Sequence, residues 1–515
     1  MTIVGHALLL LVANLCLLGA GAGVTRALGV WSTARDLRRF VGTSYMAGVA
    51  AYGVAAQTLY VLGASLRLWQ ILALCLLLAA TGAFSRAGGR PWSEASTITL
   101  RRPELIMAAV AILLLILLGI DSIFQPLASW DAWTQWTPKA QALVLDNGLH
   151  THILGSEAFR DWHLDYPLFV PSIEAFGFRF IGIDVRVMHL QHWLLLAGFA
   201  AAFVEILRPR VRPLFVWTGL LALLAAPRLE GETIAANADV PLAVFLGLAG
   251  IVALIWITDS DVVALRLLAL FAAASFAVKV EGTYLVVILL LATIVAVGRS
   301  RRRAVMTAAA GAVALLGIVP WRIWVAFHDI PATYSVREAL QGPGWHDASR
   351  GPISTLVVLG QFFSPRAWLL LAPFSILAIA VLARSRAAAR GETPVIAAGA
   401  AAAVGIAVTY AVPNASFPFP WRWYDSLVFV AVLVAVSFLA FVALKARSVA
   451  TWALVAGGLM LLTFVIVYVV TPYPFAWHLG TSSARVVIAP ELFLAAVIPL
   501  MLERAASRTR SVRRG

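Results

Sequence analysis

One carboxylate stands between tryptophans. In Ser129-Trp130-Asp131-Ala132-Trp133-Thr134-Gln135-Trp136-Thr137-Pro138-Lys139-Ala140, Asp131 is flanked by the indoles of Trp130 and Trp133. Such a carboxylate can have its proton affinity tuned and its position fixed, which general-base work requires. It can equally cap the helix that the following residues begin. A second stretch, His163-Leu164-Asp165-Tyr166-Pro167-Leu168-Phe169-Val170-Pro171, offers an imidazole, an acid and a phenol within four positions. Turn chemistry ahead of a proline would use the same residues. Asn237-Ala238-Asp239-Val240-Pro241 places another carboxylate at the start of an apolar run, where capping is again the plainer role. Val278-Lys279-Val280-Glu281-Gly282 interrupts two apolar runs with a cation and an anion, which are costly there unless paired or lining a cavity. Arg322 and Arg485 stand at comparable run ends, with His478 opening the stretch that leads to Arg485, and Arg366 interrupts the run 354–383 at a similar depth. Snorkelling explains one such cation; several at one depth suit an anionic group at the headgroup level.

Metal and nucleotide chemistry are poorly represented. His150-Thr151-His152 and His346-Asp347 do not form a standard zinc spacing, so no cofactor is expected and a divalent metal is not indicated. No Gly-rich phosphate loop follows a strand pattern.

The elements that must carry these residues are membrane helices. Of 515 residues 61% are hydrophobic and 12% charged, and mean hydropathy is +0.90. A soluble globular chain has about 45–50% and about 25%. Disorder, collagen, coiled coil and a disulfide scaffold are excluded; Cys16 and Cys75 both fall inside apolar runs. The first apolar run lacks a basic flank and is read as a retained span. Candidate spans are apolar runs at 3–23, 41–63, 69–84, 104–120, 188–207, 214–226, 240–257, 264–279, 282–298, 304–326, 354–383, 394–412, 426–444, 450–471 and 486–502, of which 214–226 is short for a full span and 354–383 is long enough to include a re-entrant part. The expectation is an all-α polytopic membrane protein with about 12–15 transmembrane helices.

Loop charge sets the orientation. Segments 24–40, 85–103, 208–213, 258–266, 299–303, 384–393, 445–449 and 503–515 hold 26 Lys/Arg against 6 Asp/Glu, and the rest of the chain holds 13 against 19. By the positive-inside rule these segments are cytoplasmic, with 258–266, one Arg against two Asp, the single dissenter. The N-terminus is then outside and the basic tail 503–515 inside. The net charge of +14 is thus topogenic, and no nucleic-acid partner is expected. The long loop 121–186, with eight acids and four bases, falls outside. It is expected to contain interfacial helices, among them an amphipathic one reaching about Ile181. Tryptophans gather on the same side: Trp130, Trp133, Trp136, Trp162, Trp345, Trp421, Trp423 and Trp477. An aromatic belt needs some of them. The excess suits stacking on a ligand such as a sugar ring.

In this order the motifs resemble the GT-C superfamily of membrane glycosyltransferases. The resemblance is to the bacterial group related to protein O-mannosyltransferases and to the lipid A aminoarabinose transferase. It is carried by Trp130-Asp131-Ala132-Trp133, Asp165-Tyr166-Pro167-Leu168, Ala238-Asp239-Val240-Pro241, Lys279-Val280-Glu281-Gly282 and the His478 to Arg485 segment. It covers about residues 104–502, leaving the three helices of 1–103 outside it. The resemblance implies a sugar donor on a polyprenyl phosphate and an acceptor hydroxyl on a glycan, lipid or protein at the outer face. Asp131 would be the general base and Asp239 a second catalytic carboxylate. Lys279 and Arg485 would hold the phosphate. Trp130, Trp133, His163, Asp165, Tyr166, Glu281, Arg322 and His478 would bind substrate. Ala132 stands where some relatives have a second acid. The main alternative is a membrane transporter or lipid flippase. Such proteins commonly show internal repeats and midplane polar groups, whereas here no repeat is found and the ionisable residues crowd the outer ends.

The orientation is testable in intact cells. An impermeant thiol reagent should label Ser156→Cys and not Ser511→Cys. Labelling of the tail position alone reverses the topology.

Overall fold

A computed structural model describes residues 2–84, 92, 102–149, 156, 158–159, 163–330, 347, 349–362, 364 and 449–511. The expected spans 394–412 and 426–444, most of 354–383, and residues Arg366, His150, His152, His346, Trp162, Trp345, Trp421 and Trp423 lie outside them.

All secondary structure among the described residues is helical. In chain order the principal helices are α1 (Ile3–Leu28), α2 (Val41–Val61), α3 (Leu68–Ala80), α4 (Arg102–Phe124), α5 (Thr137–Leu145), α6 (Phe169–Ile181), α7 (Val185–Leu207), α8 (Pro213–Leu224) and α9 (Pro227–Ile234). There follow α10 (Asp239–Asp259), α11 (Val262–Val278), α12 (Val280–Val297), α13 (Arg301–Ala314), α14 (Val319–Phe327), α15 (Arg350–Phe362), α16 (Val449–Val470), α17 (Phe475–Val486) and α18 (Ile488–Ser511).

Seven of the described helical segments are long and apolar enough to cross a membrane, or up to nine if each bent pair counts as one span. This is the make-up of a multi-pass membrane protein. The number is below the 12–15 expected, for physical reasons besides the undescribed segments. Two apolar runs make short helices: α3 has 13 residues and α11 has 17. The run 304–326 is broken, with a 45° bend between Arg301–Gly317 and α14, and α8 and α9 meet at 54°. The break before α14 coincides with close packing. A Cβ on Gly317 would stand 2.0 Å from the Ala273 carbonyl oxygen.

The chain divides into two compact units, residues 1–209 with 231–335 and residues 210–230 with 336–515. In the first, α10 is the central helix, buried from Asp239 to Trp256. It packs on α7, α11 and α12, while α2 packs on α1, α6, α7 and α11. The three N-terminal helices are therefore part of this core. Small residues let α1 and α2 touch. A Cβ on Gly21 would meet the Ser44 carbonyl, and one on Gly48 the Leu17 carbonyl. Without a hydrophobic drive between helices in lipid, such close backbone contact is what holds spans together. Polar links add to it: Tyr45 donates to Asn14 at 2.8 Å, and Asn14 to Gln191 at 3.0 Å. The N-terminus of α2 has no local side-chain cap. Glu205 of α7 supplies one, accepting the Gly42 and Thr43 amides at 2.7 Å each.

The amphipathic helix α6 ends at Ile181 as expected, and protein rather than solvent covers its polar face. Its residues Phe169 to Phe178 are all buried, and it packs on α1, α2, α5 and α7. Its polar residues Ser172 and Glu174 are buried with the rest.

In the second unit, α15 packs on α16 and α17, and α18 on α8 and α16. Arg228 donates to Glu491 and to Gln361, an ion pair buried on both sides.

Candidate functional site

Asp131 sits at the entrance to an irregular turn. Residues Ala132–Trp136 form a π-helical segment, closed by the Thr137 amide donating to the Ala132 carbonyl five residues back. Such bulges re-aim side chains and are frequent at functional sites. Here Trp130 and Trp133 are turned outward, 58% and 47% exposed, with ring centroids 5.1 Å apart edge to face. Trp136 is turned inward and fully buried. Asp131 itself is half-buried and helical, and its side chain makes no capping hydrogen bond. The capping role open at the level of sequence is therefore not the one it plays.

The turn 163–168 supplies the next group. His163 adopts a left-handed backbone, φ 46°, which costs a non-glycine residue about 1–3 kcal/mol and persists only where surroundings enforce it. Three side chains from three helices do so. Lys139 of α5 donates to the His163 carbonyl at 2.6 Å, Trp321 of α14 to the Asp165 carbonyl at 2.8 Å, and Gln57 of α2 accepts the Leu168 amide at 2.7 Å. The Tyr166 amide also closes on the His163 carbonyl at 3.0 Å, so His163 does serve as a turn residue. The Asp165 carboxylate goes further. It is 3% exposed and lies 3.6 Å from the Arg322 guanidinium. The rings of His163 and Trp136 stand 5.1 Å and 5.8 Å from that of Tyr166.

A second strained turn brings in Asp239. Ala236 is left-handed, φ 54°, and the turn around it is held from both sides. His189 of α7 bonds the Ile234 carbonyl through Nδ1. From the other side, Ser129, two residues before Asp131, donates to Asn237 at 2.7 Å, and Asn237 donates to Glu232 at 2.8 Å. Asp239 is the first residue of α10. Its carboxylate accepts from Lys279 at 3.0 Å. Lys279 is the single extended residue between α11 and α12, and its ammonium also lies 3.3 Å from Glu281. The Lys279–Glu281 pair, one of the two roles the sequence left open for these residues, is thus present, with Asp239 as a second anion. Only 6% of the Lys279 side chain is exposed.

These groups share one electrostatic neighbourhood. Burial, then the charges of Lys139 and Lys279, push the His163 imidazole down to about 4, while Asp131 and Asp165 pull it back. It is neutral at neutral pH. Burial likewise pushes the Lys139 amine down to about 7, with Asp165 opposing. The described structure therefore brings together Asp131, His163, Asp165, Tyr166, Asp239, Lys279, Glu281 and Arg322, with Trp130 and Trp133 on the exposed side. His478 and Arg485 belong to the second unit. There His478 bonds Thr471 at 2.8 Å and lies edge-on to Tyr468, whose hydroxyl meets Ser482 at 2.8 Å. Arg485 is half-buried in the last turn of α17.

The sequence reading did not select Lys139, Gln57, Ser129, His189 or Trp321. Lys139 carried a signal: a lysine directly after a tryptophan-rich turn, on the helix that the turn starts. No three or more His, Cys, Asp or Glu side chains among the described residues are grouped to hold a metal ion.

Lys139 makes stability depend on pH with a definite sign. Between about pH 7 and its ordinary 10.5, the unfolded chain holds more proton at this residue than the folded one. Its contribution therefore improves as pH rises through that window and is poorest below it. Lys139→Met removes the dependence along with one hydrogen bond. The melting temperature of the variant relative to the parent should then be more favourable at about pH 6 than at about pH 9.5. A difference independent of pH would contradict the buried, readily deprotonated amine.

Comparisons with protein-family models, with characterised proteins and with solved structures found no match to this chain.

Proposed function

We propose that the chain is a GT-C-like membrane glycosyltransferase that moves a sugar from a polyprenyl-phosphate donor to an acceptor hydroxyl at the outer face. The observation that carries this reading is the pairing of surfaces at Asp131. A carboxylate that does not cap its turn is carried on the same turn as two exposed indoles, and its charge acts on the buried His163 alongside Asp165, Lys139 and Lys279. Indole faces suit sugar C–H surfaces, and the apolar helices supply the setting in which a lipid-borne donor is met.

The chemistry is a single displacement. Asp131 takes the proton of the acceptor hydroxyl, the acceptor oxygen attacks the anomeric carbon, and the sugar–phosphate bond breaks with its electrons on the phosphate oxygen. The geometry favours a different phosphate seat from the one inferred from sequence. Lys279 is enclosed with Asp239 and Glu281, so its charge is already answered. The Arg322 side chain is 37% exposed and touches Asp165 only at 3.6 Å. We assign Arg322 the developing phosphate charge, where a preorganised cation stabilises the transition state. Asp239, fixed by Lys279, orients the sugar hydroxyls.

Asp131→Asn keeps the shape and removes the proton acceptor. In vesicles supplied with a polyprenyl-phosphate sugar and a hydroxyl acceptor, kcat should fall ~10²-fold or more, with donor binding retained. Full activity would remove Asp131 as the base and leave Asp165 or Asp239 to act. Protein-dependent movement of the lipid across the bilayer without sugar transfer would favour a flippase instead.

A further inference from the structure

Gln57 lies on α2, within the three helices that precede the region of family resemblance, and its side chain is fully buried. Both ends of its carboxamide are engaged. The oxygen accepts the Leu168 amide at 2.7 Å, and the nitrogen donates to the Gly317 carbonyl at 2.8 Å. Leu168 ends the turn that carries His163, Asp165 and Tyr166, at the N-terminus of α6. Gly317 lies in the break just ahead of α14, which carries Trp321 and Arg322. Both backbone groups are at helix ends, where amides and carbonyls lack helical partners and must be satisfied by something else.

One side chain thus ties together the two backbone segments whose own side chains meet as Asp165 and Arg322. Lys139 and Trp321 hold the start and middle of the same turn, so Gln57 supplies the remaining anchor. An amide is suited to this. It offers an acceptor and a donor on one rigid plane without adding charge to a site that already holds several.

We infer that Gln57 is a positioning residue that sets Asp165 against Arg322, which makes the N-terminal helices a working part of the site. Its effect on turnover rests on the proposed glycosyl transfer. Its hold on the 163–168 turn does not. No leucine can make either bond, so Gln57→Leu leaves two buried backbone groups unpaired. Gln57→Glu, when protonated, keeps an acceptor for Leu168 and a donor for Gly317. When ionised it turns a second acceptor toward the Gly317 carbonyl.

The test uses the full chain in detergent, with backbone hydrogen exchange and transfer kinetics measured on the same samples. Gln57→Leu should speed exchange across 163–170 and 315–322 by ~10-fold or more while α10 stays protected. It should lower kcat by ~10-fold or more with KM for the lipid donor within about threefold, because misplacement acts on the transition state. Gln57→Glu should keep protection and most of kcat at low pH and lose both at high pH. Unchanged exchange in the turn, or loosening spread equally over all helices, would overturn the assignment. If Gln57→Leu does not fold, Gln57→Glu decides: protection that is the same at low and high pH overturns it. Absence of transfer by the parent protein would count against the proposed function alone, since the exchange result still judges the clamp.

Discussion

The ammonium of Lys279 organises the first unit. It is buried with two carboxylates, Asp239 at 3.0 Å and Glu281 at 3.3 Å, at a point where one extended residue separates α11 from α12. Taking such charges out of water costs several kcal/mol for each ion and is repaid only by close mutual contact. The arrangement therefore fixes three things together. It ends α11, starts α12, and holds the first residue of α10, the helix around which the unit is packed. Loss of the cation would leave two carboxylates facing each other at this depth, so the starts of α10 and α12 are both tied to Lys279.

Around that fixed point, two turns hold left-handed, non-glycine residues, His163 and Ala236. Their backbone groups are met by side chains from distant helices, Lys139, Trp321 and Gln57 on one turn and His189 on the other, where Ser129 also bonds the Asn237 side chain. Ser129 also belongs to the segment that carries Asp131. The strained turns, the Lys279 charges and the segment that leads into the π-helical turn are thus linked by hydrogen bonds, with the exposed rings of Trp130 and Trp133 on that segment. For the proposed transfer, preorganisation of this kind would stabilise developing charge without reorganisation.

The helices were legible where the chemistry is local. Long apolar runs became α1, α4, α7, α10, α12 and α16 close to the expected limits, because a span is dictated by length and hydropathy. The charged interruption at Lys279 left pairing and phosphate binding both open, and the structure shows it paired, with Asp239 as a partner that its own stretch did not signal. What escaped depends on partners far along the chain. Nothing near Gly42 announces that Glu205 caps α2, and nothing near Leu168 points to Gln57. The helix α6 shows the limit of periodicity. Its two faces differ, but the pattern cannot say what covers the polar one, and protein covers it here. Asp131 shows the converse. Its sequence context allowed a cap, and a π-helical turn that no local pattern signals took that role away.

The most direct measurement is the thermal stability of the full chain in two variants, Lys279→Met and the triple Lys279→Met with Asp239→Asn and Glu281→Gln. If the three charges are a coupled unit, removing the cation alone should cost about 3–5 kcal/mol. Neutralising its two partners as well should then restore much of that loss. Losses that simply add, with the triple variant less stable than the single one, would contradict a site built on the Lys279 ion pairs.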